Sequence, residues 1–209
     1  MPRPRRISSN SYHFNENVAI EYLEETLEKL LLNPGSFVEL VNPLVEVLNG
    51  WIDDNETLSL IVDVIFHQAV SEANFHWTGA KLCGHLAQHL TVNHEGGNFR
   101  QHLLKRCHEE HRLRTSFIRT QEGKKRLHGF AFFLAELFLS MEVSVPNGGT
   151  QRLHVLRKAL VELIQTLFGD PNEENMKTVV KVLKLAGENN RNLGIRHEYY
   201  CYRYQWKPI

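Results

Sequence analysis

An all-α fold of repeated helix pairs is what this sequence predicts, and three features carry the prediction. Apolar residues recur at spacings of three, four and seven through most of the chain, the signature of helices with one buried face. Short breaks rich in Pro, Gly and Asn divide those segments, so that candidate helix starts fall near residues 16, 36, 56, 77, 98, 124, 150 and 173. No segment alternates polar and apolar residues as a half-buried strand does, and no glycine-rich phosphate loop is present. Eight helices make four antiparallel pairs, one pair in roughly forty residues, which matches a HEAT-like solenoid better than a four-helix bundle. Each unit of such a stack is stable against its neighbours, and its extended surfaces usually bind other macromolecules.

Taken in order, residues 1–15 are polar and aperiodic and are expected to be disordered. From about Glu16 to Leu32, a stripe of Ile20, Leu23, Leu27, Leu30 and Leu31 predicts the first helix, stopped by Asn33-Pro34-Gly35. Ser36, with Glu39 three residues on, has the spacing of a capping box for a second helix that runs to Trp51 and contains Pro43, a point of bending. Residues 58–90 read as two helices joined by Glu72-Ala73-Asn74-Phe75. The first is inner, because Leu58, Ile61, Val62, Ile65, Ala69 and Val70 form one stripe while Leu60, Val64 and Phe66 widen it. The second is outer, with the narrower stripe of Ala80, Cys83, Leu86, Ala87 and Leu90 and with His85 and His89 pointing away.

Asn93 to Gly97 reads as a turn, and Asn98 as the cap of a helix that buries Phe99, Leu103 and Cys107. Arg112 to Gly123 is charged and aperiodic, hence an exposed loop. The strongest helix spans Lys124 to Val143, with Leu127, Phe130, Ala131, Leu134, Leu137, Phe138 and Met141 inward. After Pro146-Asn147-Gly148-Gly149, two more helices run from about Thr150 to Phe168 and from Glu173 to Ala186, divided by Gly169-Asp170-Pro171-Asn172.

The 209 residues suffice for a core without disulfides or metal. Three cysteines, none in a CxxC, read as reduced thiols, with Cys83 and Cys107 as small buried groups. The Pro- and Arg-containing start lacks an apolar signal core, and no run of about 18 apolar residues would span a membrane, so the expectation is a soluble chain with no membrane partner. The formal net charge of zero conceals a division. Residues 16–74 hold twelve acidic residues against the single Lys29, whereas residues 81–130 hold ten Lys and Arg against four Glu. Opposite patches steer different ligands to different parts of one scaffold, although ordinary solvated helix faces account for the same counts.

Several words of the sequence go further than periodicity. Pro34-Gly35-Ser36-Phe37, the run from Ile65 to Phe75, Gly79-Ala80-Lys81-Leu82-Cys83, the run from Gly97 to Cys107, Phe133 to Leu139 and Val182 to Gly187 resemble, in order and spacing, the middle domain of the translation scaffold initiation factor 4G, and within that family the adaptors that interact with poly(A)-binding protein. The likeness covers about residues 16–187. It implies a non-catalytic HEAT-repeat scaffold of cytoplasmic translation initiation that holds the DEAD-box RNA helicase initiation factor 4A and touches RNA. Poly(A)-binding protein and initiation factor 3 are implied as further partners. In the family the helicase's C-terminal lobe docks on apolar residues of the first helix and the following turn, and the corresponding positions here are Leu27, Leu30 and Phe37. Plain core packing of the same three is the competing reading. A related scaffold of messenger RNA decay or cap-dependent RNA metabolism is the alternative within binding proteins.

The departures are equally definite. After Gly187 the family continues into a further helical pair, whereas this sequence turns to ENNRNLGIRHEYYCYRYQWKPI, a divergent tail expected to be poorly ordered, so that the repeat array is expected to be shortened at its C-terminus. Uncovering three or four large apolar side chains of the last helix would cost about 1.5–3 kcal/mol each, comparable to a typical whole-domain stability of about 5–15 kcal/mol. Tyr199, Tyr200, Tyr202, Tyr204 and Trp206 would otherwise fold back over that helix or stack on RNA bases. The adaptors' two poly(A)-binding-protein motifs have no counterpart in these residues, since Leu32-Asn33-Pro34 followed by Phe37 echoes the first with too short a spacing.

Twelve histidines invite a metal reading, at His85 and His89 and in Cys107-His108-Glu109-Glu110-His111. Neither has four convergent ligands, and Leu86 stands where a zincin needs Glu. No triad or paired-acid constellation is evident, so no cofactor, metal site or enzyme activity is expected; a metal hydrolase is the outside alternative. The basic middle is the stronger signal. Arg100, Lys105 and Arg106 on one helix, with Lys124, Lys125 and Arg126 at the next helix start, would neutralise several phosphates and give weak, salt-sensitive, sequence-independent RNA binding.

Overall fold

The computed structural model describes residues 9–144 and 148–188, without the side chains of residues 9–17, 94, 144, 187 and 188. The expectations for residues 1–8 and for the aromatic tail lie outside the described residues. Within them the fold is all-α. Helices α1 (Ser9–Leu32), α2 (Phe37–Trp51), α3 (Asn55–Ser71), α4 (His76–His89), α5 (Phe99–Arg112), α6 (Arg114–Phe117), α7 (Gln121–Ser140), α8 (His154–Phe168) and α9 (Glu173–Glu188) follow one another, with a 3-10 turn at Pro34–Ser36.

The described residues form two compact units, residues 9–68 with 85–106 and residues 69–84 with 107–188. In the first, α1 packs on α2 and shares the core of Leu23, Leu27, Leu30, Phe37, Val41, Leu44 and Leu48. There α3 and α5 run in the same direction. Ser59 Oγ lies 2.8 Å from His102 Nδ1, and Arg106 Nε donates to Asp63 at 2.6 Å, each pair separated by 43 residues in sequence. A constant offset of that size is the spacing of successive HEAT-type repeats.

In the second unit α7 is central and packs on α8 and α9, which also touch each other. His128 on α7 meets Asn175 on α9 at 2.6 Å, 47 residues on, and Lys124 meets Asp170 at 2.7 Å. The end of α3 and the start of α4 close on α7. Gly129 makes this possible, because a Cβ there would stand 1.9 Å from the Val70 carbonyl oxygen. Farther along, Ser140 Oγ lies 3.2 Å from the Ala80 carbonyl oxygen.

The predicted stripes are the buried ones: all six inner positions of α3 and all seven predicted for the α7 segment are in the core, although the helix ends at Ser140, short of the predicted Val143, and Met141 is its C-cap. Four local expectations are corrected. Ser36 makes no side-chain cap to α2; its hydroxyl instead accepts from the Asn33 amide at 2.9 Å, because its backbone (φ −83°, ψ 22°) follows the 3-10 turn and not the extended conformation of a cap. Residues 112–123 are not loop throughout, since α6 and the first turn of α7 occupy most of them, α7 being capped by Thr120, whose hydroxyl accepts from Gly123 N at 3.0 Å. The helix placed at Thr150 starts at His154, because Thr150–Arg152 pairs as a strand with Glu142–Ser144. A second ladder joins Asn93–His94 to Gly97–Asn98 across the turn Glu95-Gly96, and Gly97 has a φ of +112° that suits glycine. The first helix begins at Ser9, ahead of the predicted start near Glu16; residues 9–15 carry no periodic stripe by which the sequence could have marked that extra length. The cap at Asn98 forms as expected, and reciprocally: its side chain accepts from Gln101 N at 3.1 Å while Gln101 Oε1 accepts from Asn98 N at 2.8 Å.

Candidate functional site

In the first unit the edge where α1 turns into α2 combines exposed apolar groups with acidic ones. Asn33 continues the helical bonding of α1, its N–H reaching the Lys29 carbonyl at 2.9 Å, and Pro34 then ends the helix. Leu32 and Val38, on either side of the 3-10 turn, are 86% and 63% exposed. Exposed carboxylates lie along the same two helices, Glu28 one turn before Leu32 and Glu39 beside Val38, with Glu24 and Glu25 a further turn back. Lys29, the single Lys or Arg in the sequence of α1 and α2, is held by Glu25 at 2.7 Å.

The predicted helicase contacts Leu27, Leu30 and Phe37 lie beneath this surface, all three buried. Leu27 nevertheless lines an open depression with Glu24, Glu28, Asp63, Val64, His67 and Gln68. Phe37 meets the edge of His85 at 6.1 Å, and His85 stacks on His89 at 3.9 Å. His89 in turn anchors through its Nδ1 to the His85 carbonyl at 2.8 Å. The histidine pair therefore serves the packing of α2 against the end of α4.

The six predicted RNA-binding cations divide by what they touch. In the first unit Arg106 is engaged by Asp63 and lies over the Phe66 ring at 4.2 Å, Arg100 is half-buried, and Lys105 is exposed. In the second, Lys124 is paired with Asp170, whose carboxyl it holds below the usual range. Arg126 forms a bidentate pair with Glu110, through Nε to Oε1 and Nη2 to Oε2, the latter at 2.8 Å, and covers the Phe117 ring at 5.4 Å. Lys125 is exposed with no ion-pair partner among the described residues. Lys105 and Lys125 are thus the two cations of this set most available to phosphates.

The remaining titratable groups are built into packing. Glu110 is 1% exposed and answered by Arg126. Burial, with Arg114 alongside, lowers the pKa of His111, which sits 3.6 Å from Glu162. Burial pushes the Cys83 thiol well up, with Cys107 adding to the effect, so it is a poor nucleophile. Among the described residues no group of three His, Cys, Asp or Glu side chains is placed to hold a metal ion.

Sequence reasoning missed Leu32, Val38 and Trp77. The first two look like continuations of apolar stripes. Trp77, one turn ahead of Ala80, reads as the buried edge of the α4 stripe, yet it is 53% exposed with Lys81 Nζ 5.1 Å from its ring.

A family model, the MIF4G domain, matches residues 24–200. Over 173 residues the chain is 39% identical to polyadenylate-binding protein-interacting protein 1 of Xenopus laevis, covering 82% of this chain and 37% of that protein. It is 25% identical over 208 residues to eukaryotic initiation factor 4F subunit p130 of Saccharomyces cerevisiae, covering 84% and 21%. To the CBP80/20-dependent translation initiation factor of Xenopus tropicalis it is 30% identical over 114 residues, covering 54% and 19%. The chain spans well under half the length of each of these relatives.

Proposed function

Because the chain belongs to the MIF4G domain family, we propose that it is a non-catalytic adaptor of translation initiation that holds the DEAD-box helicase initiation factor 4A and touches RNA weakly. The observation that carries the helicase contact is the acid-rimmed apolar edge of the first unit. Leu32 and Val38 supply the desolvated contact, and Leu27, Leu30 and Phe37 form the core that fixes them in place. An apolar centre ringed by charge is the usual anatomy of an interface hot spot. The carboxylates select a basic partner surface and speed its approach.

Lys105 and Lys125 supply the RNA contact, each in its own unit. Two phosphates neutralised this way give micromolar-or-weaker, salt-dependent binding without sequence preference. Family analogy extends the assembly to poly(A)-binding protein and initiation factor 3, and its place of action is the cytoplasm. No helix among the described residues is long and apolar enough to cross a membrane. The identity to a CBP80/20-dependent factor favours a second reading, a related scaffold of cap-dependent RNA metabolism.

Titration of the chain with the purified helicase at low and physiological salt tests the first reading. A one-to-one complex that weakens as salt rises is expected. A folded chain that fails to bind the helicase at either salt rejects it in favour of the related scaffolds.

A further inference from the structure

Trp77 stands out on the second unit because nothing in the core requires it. It lies on the first turn of α4, half exposed, with the Lys81 ammonium over its ring at 5.1 Å. The residue beside it is rigidly placed. His76 Nδ1 lies 2.6 Å from the Ala69 carbonyl oxygen, and its ring stacks on Phe132 of α7 at 5.5 Å with an interplanar angle of 14°. The first turn of α4 is therefore pinned to the middle of α7.

Lys125 precedes Phe132 by seven residues, so the two share one stripe of α7 about 10 Å apart along the axis. That stripe puts the exposed Lys125 on the same helix that the first turn of α4 packs against. An aromatic face for a base, a cation over the ring and further cations along the same surface are the elements with which proteins hold single-stranded nucleic acid without reading its sequence. The acids near these groups in sequence are Glu72 in the turn before α4, the exposed Glu122 one turn before Lys125, and Glu136 one turn beyond Phe132. Burial raises the pKa of the half-buried Glu136.

We propose that Trp77, together with Lys81 and Lys125, is a base-stacking subsite for single-stranded RNA. This rests on the RNA reading above and names a residue that reading did not contain. A protein hot spot is the competing use of an exposed tryptophan, and the two cations favour the nucleic acid.

The test uses the full chain and a labelled oligouridylate of about twelve nucleotides, within the range of known single-strand sites. Anisotropy is measured for the wild type, Trp77→Ala, Trp77→Phe and Lys105→Glu, with thermal melts on each. Loss of one stacked base predicts binding about 5- to 100-fold weaker for Trp77→Ala, with Trp77→Phe retaining most of it. In a Trp51→Phe/Trp206→Phe background, RNA should also quench the emission of Trp77. Wild-type affinity in a folded Trp77→Ala variant, alongside weakening by Lys105→Glu, overturns the stacking site and leaves the RNA reading standing. Absence of RNA binding by the folded wild type overturns both. Unquenched emission together with helicase binding that weakens in Trp77→Ala overturns the proposal in favour of a protein contact.

Discussion

Arg106 Nε donates to Asp63 at 2.6 Å while its guanidinium covers the Phe66 ring at 4.2 Å, so a residue with the look of a phosphate contact is a tie between two parallel helices. Asp63 is about half exposed and Arg106 about a fifth, so water screens the pair and its Coulomb share is small. Packing over the ring adds a comparable amount. Arg106→Ala should lower unfolding stability by roughly 1 kcal/mol, and Asp63→Asn by less, both read from urea denaturation. An effect of Asp63→Asn larger than that of Arg106→Ala would contradict the ranking.

Glu110 and Arg126 behave differently because Glu110 is buried. Removing the arginine strips a desolvated carboxylate of its bidentate partner, and the third of Arg126 that remains exposed moderates the loss. Arg126→Ala should cost about 2–4 kcal/mol, several times the effect of Arg106→Ala. Glu110→Gln, which keeps a hydrogen-bonding group of the same shape, should cost clearly less. The contrast also warns that an RNA-binding defect in Arg126→Ala reports folding; Lys125→Glu is the informative variant.

Gly129→Ala tests the approach of the end of α3 to α7. The added methyl would meet the Val70 carbonyl oxygen at 1.9 Å, and a backbone atom cannot swing aside as a flexible side chain can. A loss of about 3 kcal/mol, at the upper end for overpacking, is expected. A melting temperature within a degree or so of the wild type would refute the close contact.

How far the sequence could be read depends on how periodic each feature is. Burial repeats every three or four residues along α3 and α7, so Leu58 to Val70 and Leu127 to Met141 were legible as core, and the spacing of helix starts anticipated the 43-residue offset between Ser59 and His102. A stripe cannot say where its cover ends. That is why Leu30 and Leu32, two residues apart, look alike in sequence yet lie at opposite extremes of exposure. Ladders of two or three residues are too short to alternate, so both hairpins escaped notice. Glu110 looked like one more charge in a polar run, because its partner is sixteen residues away and chosen by tertiary packing.

Acid should weaken the fold through His76 and His111. Burial lowers both imidazole pKa values, with Arg114 adding to the effect at His111. The unfolded chain then binds more protons than the native one below the ordinary imidazole value of about 6.5. Stability is therefore fully present above that pH and declines as pH falls toward the lower native pKa values. Denaturation midpoints should drop between about pH 7.5 and 5.5, and His76→Gln should flatten part of that slope. A rising midpoint over the same interval would show that the sign is wrong.

The affinity of the helicase's isolated C-terminal lobe for the wild-type chain and for Leu32→Asp/Val38→Asp, with melts recorded on the same samples, bears most directly on the adaptor function. Both substituted side chains are exposed, so the melts should coincide. Loss of both apolar contacts is expected to weaken binding by about 3 kcal/mol or more, roughly a hundredfold. Equal binding by the wild type and a folded double variant would contradict the account of the α1–α2 edge as the docking surface.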